Sequence, residues 1–133
     1  MNLTAKSRYA IKIMTALAQD SEEKVTKREK ISKQHSIPKN FMDQITSRLK
    51  AHKLITTTRG PLGGLKIAKK PEQISVWDIF EAVEDNLKPV SCLESEDCSL
   101  IHQCISQDIW FDIYQQTKAQ MCKLTLNKYM TPH

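Results

Sequence analysis

The chain has 133 residues, 40% hydrophobic and 26% charged, the composition of one ordinary water-soluble domain with a single core. No run approaches the ~20 apolar residues of a membrane span, and Met1 to Lys6 lack the apolar core of a secretory signal. Aromatics at 6%, with 3 glycines and 5 prolines, speak against a sandwich or barrel, so a mainly helical protein of the cytoplasm is expected. The net charge of +5 divides unevenly, with residues 1–70 holding 16 Lys and Arg against 5 Asp and Glu while residues 71–133 hold 4 against 10; a basic half of this kind meets polyanions, usually nucleic acid.

Thr4 can cap a first helix to about Gln19, with Ala10, Ile13, Met14 and Leu17 at the spacing of one buried face. Thr26 and Glu29 have the spacing of a capping box, which predicts a short second helix to about Lys33. After the brief connection Gln34-His35-Ser36, Pro38 suits the first turn of a third helix reaching Ala51. Phe41, Met42, Ile45 and Leu49 face inward in this reading, leaving Lys39, Asn40, Asp43, Gln44, Ser47, Arg48 and Lys50 outside.

Leu54–Thr58 and Leu65–Ala68 read as the strands of a hairpin, with Arg59-Gly60-Pro61-Leu62-Gly63-Gly64 as its turn. All three glycines of the protein lie in that turn, so its backbone is expected to need positive φ or close approach. Ser75 then caps a fourth helix ending near Asn86, with Val76, Ile79, Phe80 and Val83 inward. A longer helix is expected from about Ile105 to Lys123, carrying Ile105, Ile109, Ile113 and Thr117 at intervals of four, widened by Trp110, Tyr114 and Met121.

Three helices with a short turn before the third, followed by a basic hairpin, form the layout of a winged helix-turn-helix, in which the third helix enters the major groove and the wing lies on the neighbouring backbone or minor groove. Asn40 and Gln44 share one face near the start of that helix, where amides can pair with adenine edges. Ser47 and Arg48 follow one turn on as base or phosphate candidates. Arg59, with Gly60, Gly63 and Gly64, would meet the minor groove and the phosphates, and Lys6, Arg8, Lys27, Arg28, Lys39 and Lys66 supply non-specific attraction.

Cys92, Cys98 and Cys104 are evenly spaced in an acidic stretch between helices, a pattern that suggests metal ligation or thiol redox chemistry. Zinc-finger ligands come in closer pairs, whereas iron-sulfur clusters are held by thiolates; three Cys leave a fourth position open to His102, Gln107, Asp108 or a residue of a second protomer. Cys122, far along the last helix, reads as a buried inert thiol. No Cys-x-x-Cys pair, glycine-rich phosphate loop or acid-base pair near the Cys supports an enzyme or a small-molecule substrate.

Taken together, Met1-x-Leu3-Thr4-x-Lys6-x-Arg8-Tyr9-Ala10, Gln44-x-x-Ser47-Arg48-Leu49, Arg59-Gly60-Pro61-x-Gly63-Gly64 and the three Cys followed by Trp110 resemble the winged-helix regulators of the Rrf2 family over nearly the whole chain. The closest likeness is to its IscR-like, iron-sulfur cluster branch. The resemblance implies a DNA-binding region at 1–70 and a helical dimerisation region at 71–133 with a cluster loop at about 87–108, packed as a single compact unit. It also implies a homodimer on a pseudo-palindromic promoter site and a cluster near the dimer interface, 2Fe-2S with 4Fe-4S as the alternative. Gln107 stands where the 2Fe-2S members carry a His ligand, and Arg8 where nitric-oxide-sensing relatives carry an Asp, which leaves Asp108 and His102. A cluster-free thiol sensor of the same family is the other expectation.

Overall fold

A computed structural model describes residues 2–20, 24–90, 93 and 104–130. Thr4 caps α1 (Ala5–Gln19) as expected, accepting from the Lys6 amide at 3.2 Å. Ala10, Ile13, Met14 and Leu17 are all buried, and α1 packs against the third and fourth helices and the second strand, so the core is built around it.

The second helix, α2 (Arg28–Gln34), starts differently from the capping-box expectation. Lys27 occupies the N-cap position without a side-chain bond. Thr26 is diverted by two stronger claims: its backbone exchanges hydrogen bonds with Leu65 at 2.8 and 2.7 Å, and its hydroxyl donates to Asp20 at 2.6 Å. A residue held in an extended bridge cannot also turn its side chain onto the first amides of a helix.

The turn into α3 (Lys39–Ala51) places Ser36 at φ 53°, and Ile37 is buried behind it with its amide bonded to the Ser32 carbonyl at 2.9 Å. Pro38 is the N-cap rather than a residue of the first turn. Met42, Ile45, Thr46 and Leu49 form the buried face; Phe41 is only half-buried, its ring 5.4 Å from that of Tyr9. At the other end the chain reverses through Lys53 at φ 61°, with the Leu54 amide bonded back to Leu49, the geometry that glycine usually supplies.

Strands β1 (Ile55–Thr58) and β2 (Gly64–Ile67) pair antiparallel with Ile55 opposite Ile67 and Thr58 opposite Gly64. The glycine turn behaves as the sequence expects. Gly60 has φ +100°, and a Cβ on Gly64 would run into the Thr26 backbone. Close approach there is what allows the Thr26–Leu65 bridge to form.

A short 3-10 turn (Pro71–Gln73) leads to α4 (Val76–Val83), whose capping box is complete: the Asp78 amide donates to Ser75 Oγ at 3.1 Å and the Ser75 amide to Asp78 at 3.0 Å. Trp77 rather than Val76 takes the inward place, beside Ile79, Phe80, Ala82 and Val83. Its ring has a second wall to bury against, because Trp77, Phe80 and Leu87 form a small cluster with Tyr114 and Met121 of the last helix. The helix stops at Val83, short of Asn86, since Glu84 is extended and its carboxylate is drawn to the start of α1.

The last helix, α5 (Gln107–Cys122), begins two positions later than the periodicity predicts and has no fully buried residue. Tyr114 and Met121 meet α4, with Tyr114 edge-on to Trp77 at 5.8 Å and Lys118 over the same indole at 5.5 Å. The isoleucine stripe points elsewhere: Ile105 is 96%, Ile109 59% and Ile113 43% exposed, with Phe111 at 50%. A final 3-10 turn (Leu126–Tyr129) returns Leu126 to the main core. No helix among the described residues is long and apolar enough to cross a membrane. The architecture is mainly helical with one β-hairpin wing, as the sequence predicts.

Candidate nucleic-acid interface

The start of α2, one face of α3 and the wing enclose an open cleft of about 720 Å³. Lys39, Asp43, Thr46 and Lys50 recur at the spacing of one helix face and form its wall; the wing supplies Thr57 to Gly60 and the two later glycines opposite. Of the candidates named from sequence, Lys27, Arg28, Lys39, Ser47, Arg59, Gly60, Gly63 and Gly64 all line this cleft. Lys50 and Asp43 also line it and were read from sequence only as outer positions; the helical spacing of four, three and four residues through Lys39, Asp43, Thr46 and Lys50 is the available signal.

Asn40 and Gln44 are exposed on the adjoining face of α3, beside the cleft rather than in it. Arg28 is engaged, because its guanidinium donates to Asp43 at 2.9 Å and ties α2 to α3. Both side chains are well exposed, so the pair contributes little to stability and can exchange for a phosphate.

Arg48 sits apart. Its guanidinium donates to the Val83 carbonyl at 3.2 Å and pairs with Asp85 at 2.8 Å, on the flank of α3 that faces the end of α4. The next residue back, Glu84, accepts from the Thr4 amide at 2.8 Å and from the Thr4 and Ser7 hydroxyls at 2.7 Å each. Burial opposes its ionisation, but the Ser7 and Thr4 bonds, with Lys6 nearby, hold the carboxyl below its ordinary value.

Of the predicted metal ligands, Cys92, Cys98 and His102 lie outside the described residues. Cys104 is half-buried just ahead of α5, with its Sγ 3.1 Å from Ser106 Oγ. The Ser106 hydroxyl, then the Ser106 amide, lower its thiol pKa, against a small opposing effect of burial. Both bonds favour the thiolate, the form that ligates metals and attacks disulfides. Gln107 and Asp108 open α5 directly after it, half-buried and exposed respectively. Among the described residues no three metal-ligating side chains cluster. Cys122 is exposed, contrary to the expectation of a buried thiol, because the last turn of α5 carries its apolar contact at Met121 instead.

Known proteins similar to this chain are named as transcriptional regulators. The chain is 28% identical over 130 residues to the HTH-type transcriptional regulator IscR of Aliivibrio salmonicida, covering 98% of this chain and 77% of that one. It is 29% identical over 126 residues to the IscR of Serratia proteamaculans, covering 95% and 77%. Among solved structures, CymR, the global cysteine regulator of B. subtilis, superposes with a TM-score of 0.77 at 25% identity, covering 98% of this chain and 96% of that one. The IscR of T. potens gives 0.76 at 21%, covering 98% and 86%, which speaks to the fold alone. The Rrf2 model, described as an iron-dependent transcriptional regulator, matches residues 3–132. Matched over almost its entire length, this chain belongs to the Rrf2 family and is a transcriptional regulator, not an enzyme.

Proposed function

We propose that this regulator acts in the cytoplasm as a homodimer on a pseudo-palindromic promoter site, and that residues 87–108 hold an iron-sulfur cluster that sets its affinity for DNA. The observation that carries the DNA-binding part is the cleft: Lys27, Arg28, Lys39 and Arg59 converge on it while Asn40, Gln44 and Ser47 stand exposed beside or within it. Residues 1–70 would then meet the duplex, α3 entering the major groove and the glycine turn approaching phosphates. Residues 71–133 would make the dimer, supported by the apolar stripe of Ile109 and Ile113 left open on α5.

Cys92, Cys98 and Cys104 would hold the cluster, with Asp108, Gln107 or His102 as fourth ligand; the lowered pKa of the Cys104 thiol beside Ser106 supports this assignment. When bound, such a group supplies a charge and a set of ligand bonds that respond to iron, oxidants or nitric oxide. A 2Fe-2S cluster is the first reading and 4Fe-4S the second. Cys104 would couple it to DNA through α5, whose Tyr114 and Met121 press on α4.

A cluster-free thiol sensor is the competing reading, and the lowered pKa of the Cys104 thiol supports it equally. Anaerobic purification with a visible spectrum and iron and acid-labile sulfide assays separates the two, for wild type and for Gln107 and Asp108 replacements. A brown protein with stoichiometric iron and sulfide is expected. A protein still colourless after reconstitution would move sensing to the thiols. Cys98→Ala should abolish the colour and change operator affinity; loss of colour with affinity unchanged would break the proposed coupling.

A further inference from the structure

Arg48 lies in the last turn of α3, yet its guanidinium is turned from the wing cleft and is already engaged twice by the end of α4 and the residues just after it. Three consecutive residues there do related work. The Val83 carbonyl and the Asp85 carboxylate take Arg48 of α3, while Glu84 between them takes the Thr4 and Ser7 groups at the start of α1. The chain then runs through Leu87, buried against Trp77 and Phe80, towards Cys92. Segment 83–85 is thus the one place where the recognition helix, the first helix and the approach to the Cys loop are fastened together by directed polar bonds among the described residues.

We propose that Arg48 is a positioning residue that fixes the angle at which α3 presents Asn40 and Gln44, with Asp85 as its anchor, and that it does not itself contact DNA. The inference rests on α3 being the DNA-reading helix. Charge arithmetic separates positioning from contact. If Arg48 reached a phosphate, Asp85 would merely compete for it, and removing that carboxylate would strengthen binding to every sequence and steepen the salt dependence. If Arg48 positions α3, removing either partner tilts the helix and harms only sequence-specific binding.

The test measures binding of the full-length wild type, Arg48→Gln, Asp85→Asn, the double variant and Asp85→Glu. The probes are a duplex that the wild type selects from a randomised pool and a random-sequence duplex of equal length, each over a range of salt. Arg48→Gln and Asp85→Asn are each expected to lower the selected-to-random affinity ratio by roughly threefold to tenfold. The double variant should lose no more than either single. The salt slope should stay at the wild-type value and Asp85→Glu should restore the ratio. Asp85 is 76% exposed, so these changes leave the core intact, which thermal unfolding checks. Tighter binding of both duplexes by Asp85→Asn, with a salt slope lower by about 1 in Arg48→Gln, would overturn the proposal. Absence of any sequence preference in the wild type would instead refute the DNA-reading role of α3.

Discussion

In the proposed DNA-binding mode Gln44 and Lys66 would serve different parts of recognition, and their truncation should separate them. Gln44 is exposed on α3, so Gln44→Ala should relax preference at particular base pairs by about 1–3 kcal/mol and leave random DNA unaffected. Lys66 sits on β2, opposite Thr56, and Lys66→Ala should weaken all sequences alike and lower the salt slope by about 1. Competition binding on single-substitution duplexes reads both effects. The glycine turn is the part of the site most legible in sequence, because clustering of all three glycines has few physical causes other than unusual φ and tight backbone approach. Thr26 is the counterexample. Its partner Leu65 is remote in sequence, and no local pattern distinguishes a threonine that caps from one that bridges to a distant strand. Gly64→Ala should therefore cost roughly 1–3 kcal/mol in denaturant unfolding, since the new methyl group would force Thr26 and Leu65 apart.

At the scale of elements, helix ends show how sequence signals succeed and fail. Ser75 and Asp78 form the reciprocal pair their spacing predicts, and Ser75→Ala should lower stability by about 1 kcal/mol. The end of α3 carries no such signal, because Lys53 adopts the left-handed conformation that favours glycine. Lys53→Gly should stabilise the protein by about 0.5–1 kcal/mol, visible as a raised melting temperature. Apolar periodicity located α4 and α5 but could not say which flank meets what. Val76 and Trp77 both fit the spacing of α4, and the wide indole wins because α5 supplies Tyr114 as a second wall. On α5 Tyr114 lies beside the isoleucine stripe, yet among the described residues only the Tyr114 and Met121 side is packed against α4. Ile109→Glu should accordingly shift the proposed dimer towards monomer in sedimentation while leaving the far-ultraviolet spectrum of the helices unchanged.

For the molecule as a whole, the polar knot at the end of α4 makes stability depend on acid. Glu84 and Asp85 are both held below their ordinary values, Glu84 by Ser7 and Thr4 bonds that outweigh burial, Asp85 by the hydrogen bond and charge of Arg48. The unfolded chain binds these protons at higher pH than the native one. The stabilisation is therefore complete above the ordinary glutamate value of 4.5 and is lost as pH falls through the lowered native values. Denaturant unfolding at a series of pH values should show Glu84→Gln with a shallower decline than wild type across that interval. The bridge between Thr26 and Leu65 reaches further still. A two-stranded hairpin is marginal by itself in water, but here the wing is stitched by a third extended segment to the connection between α1 and α2. The amides of Thr26 and Leu65 should then exchange with solvent deuterium only when the whole domain opens, and the wing should behave as a fixed jaw rather than as a flap that closes on DNA after contact.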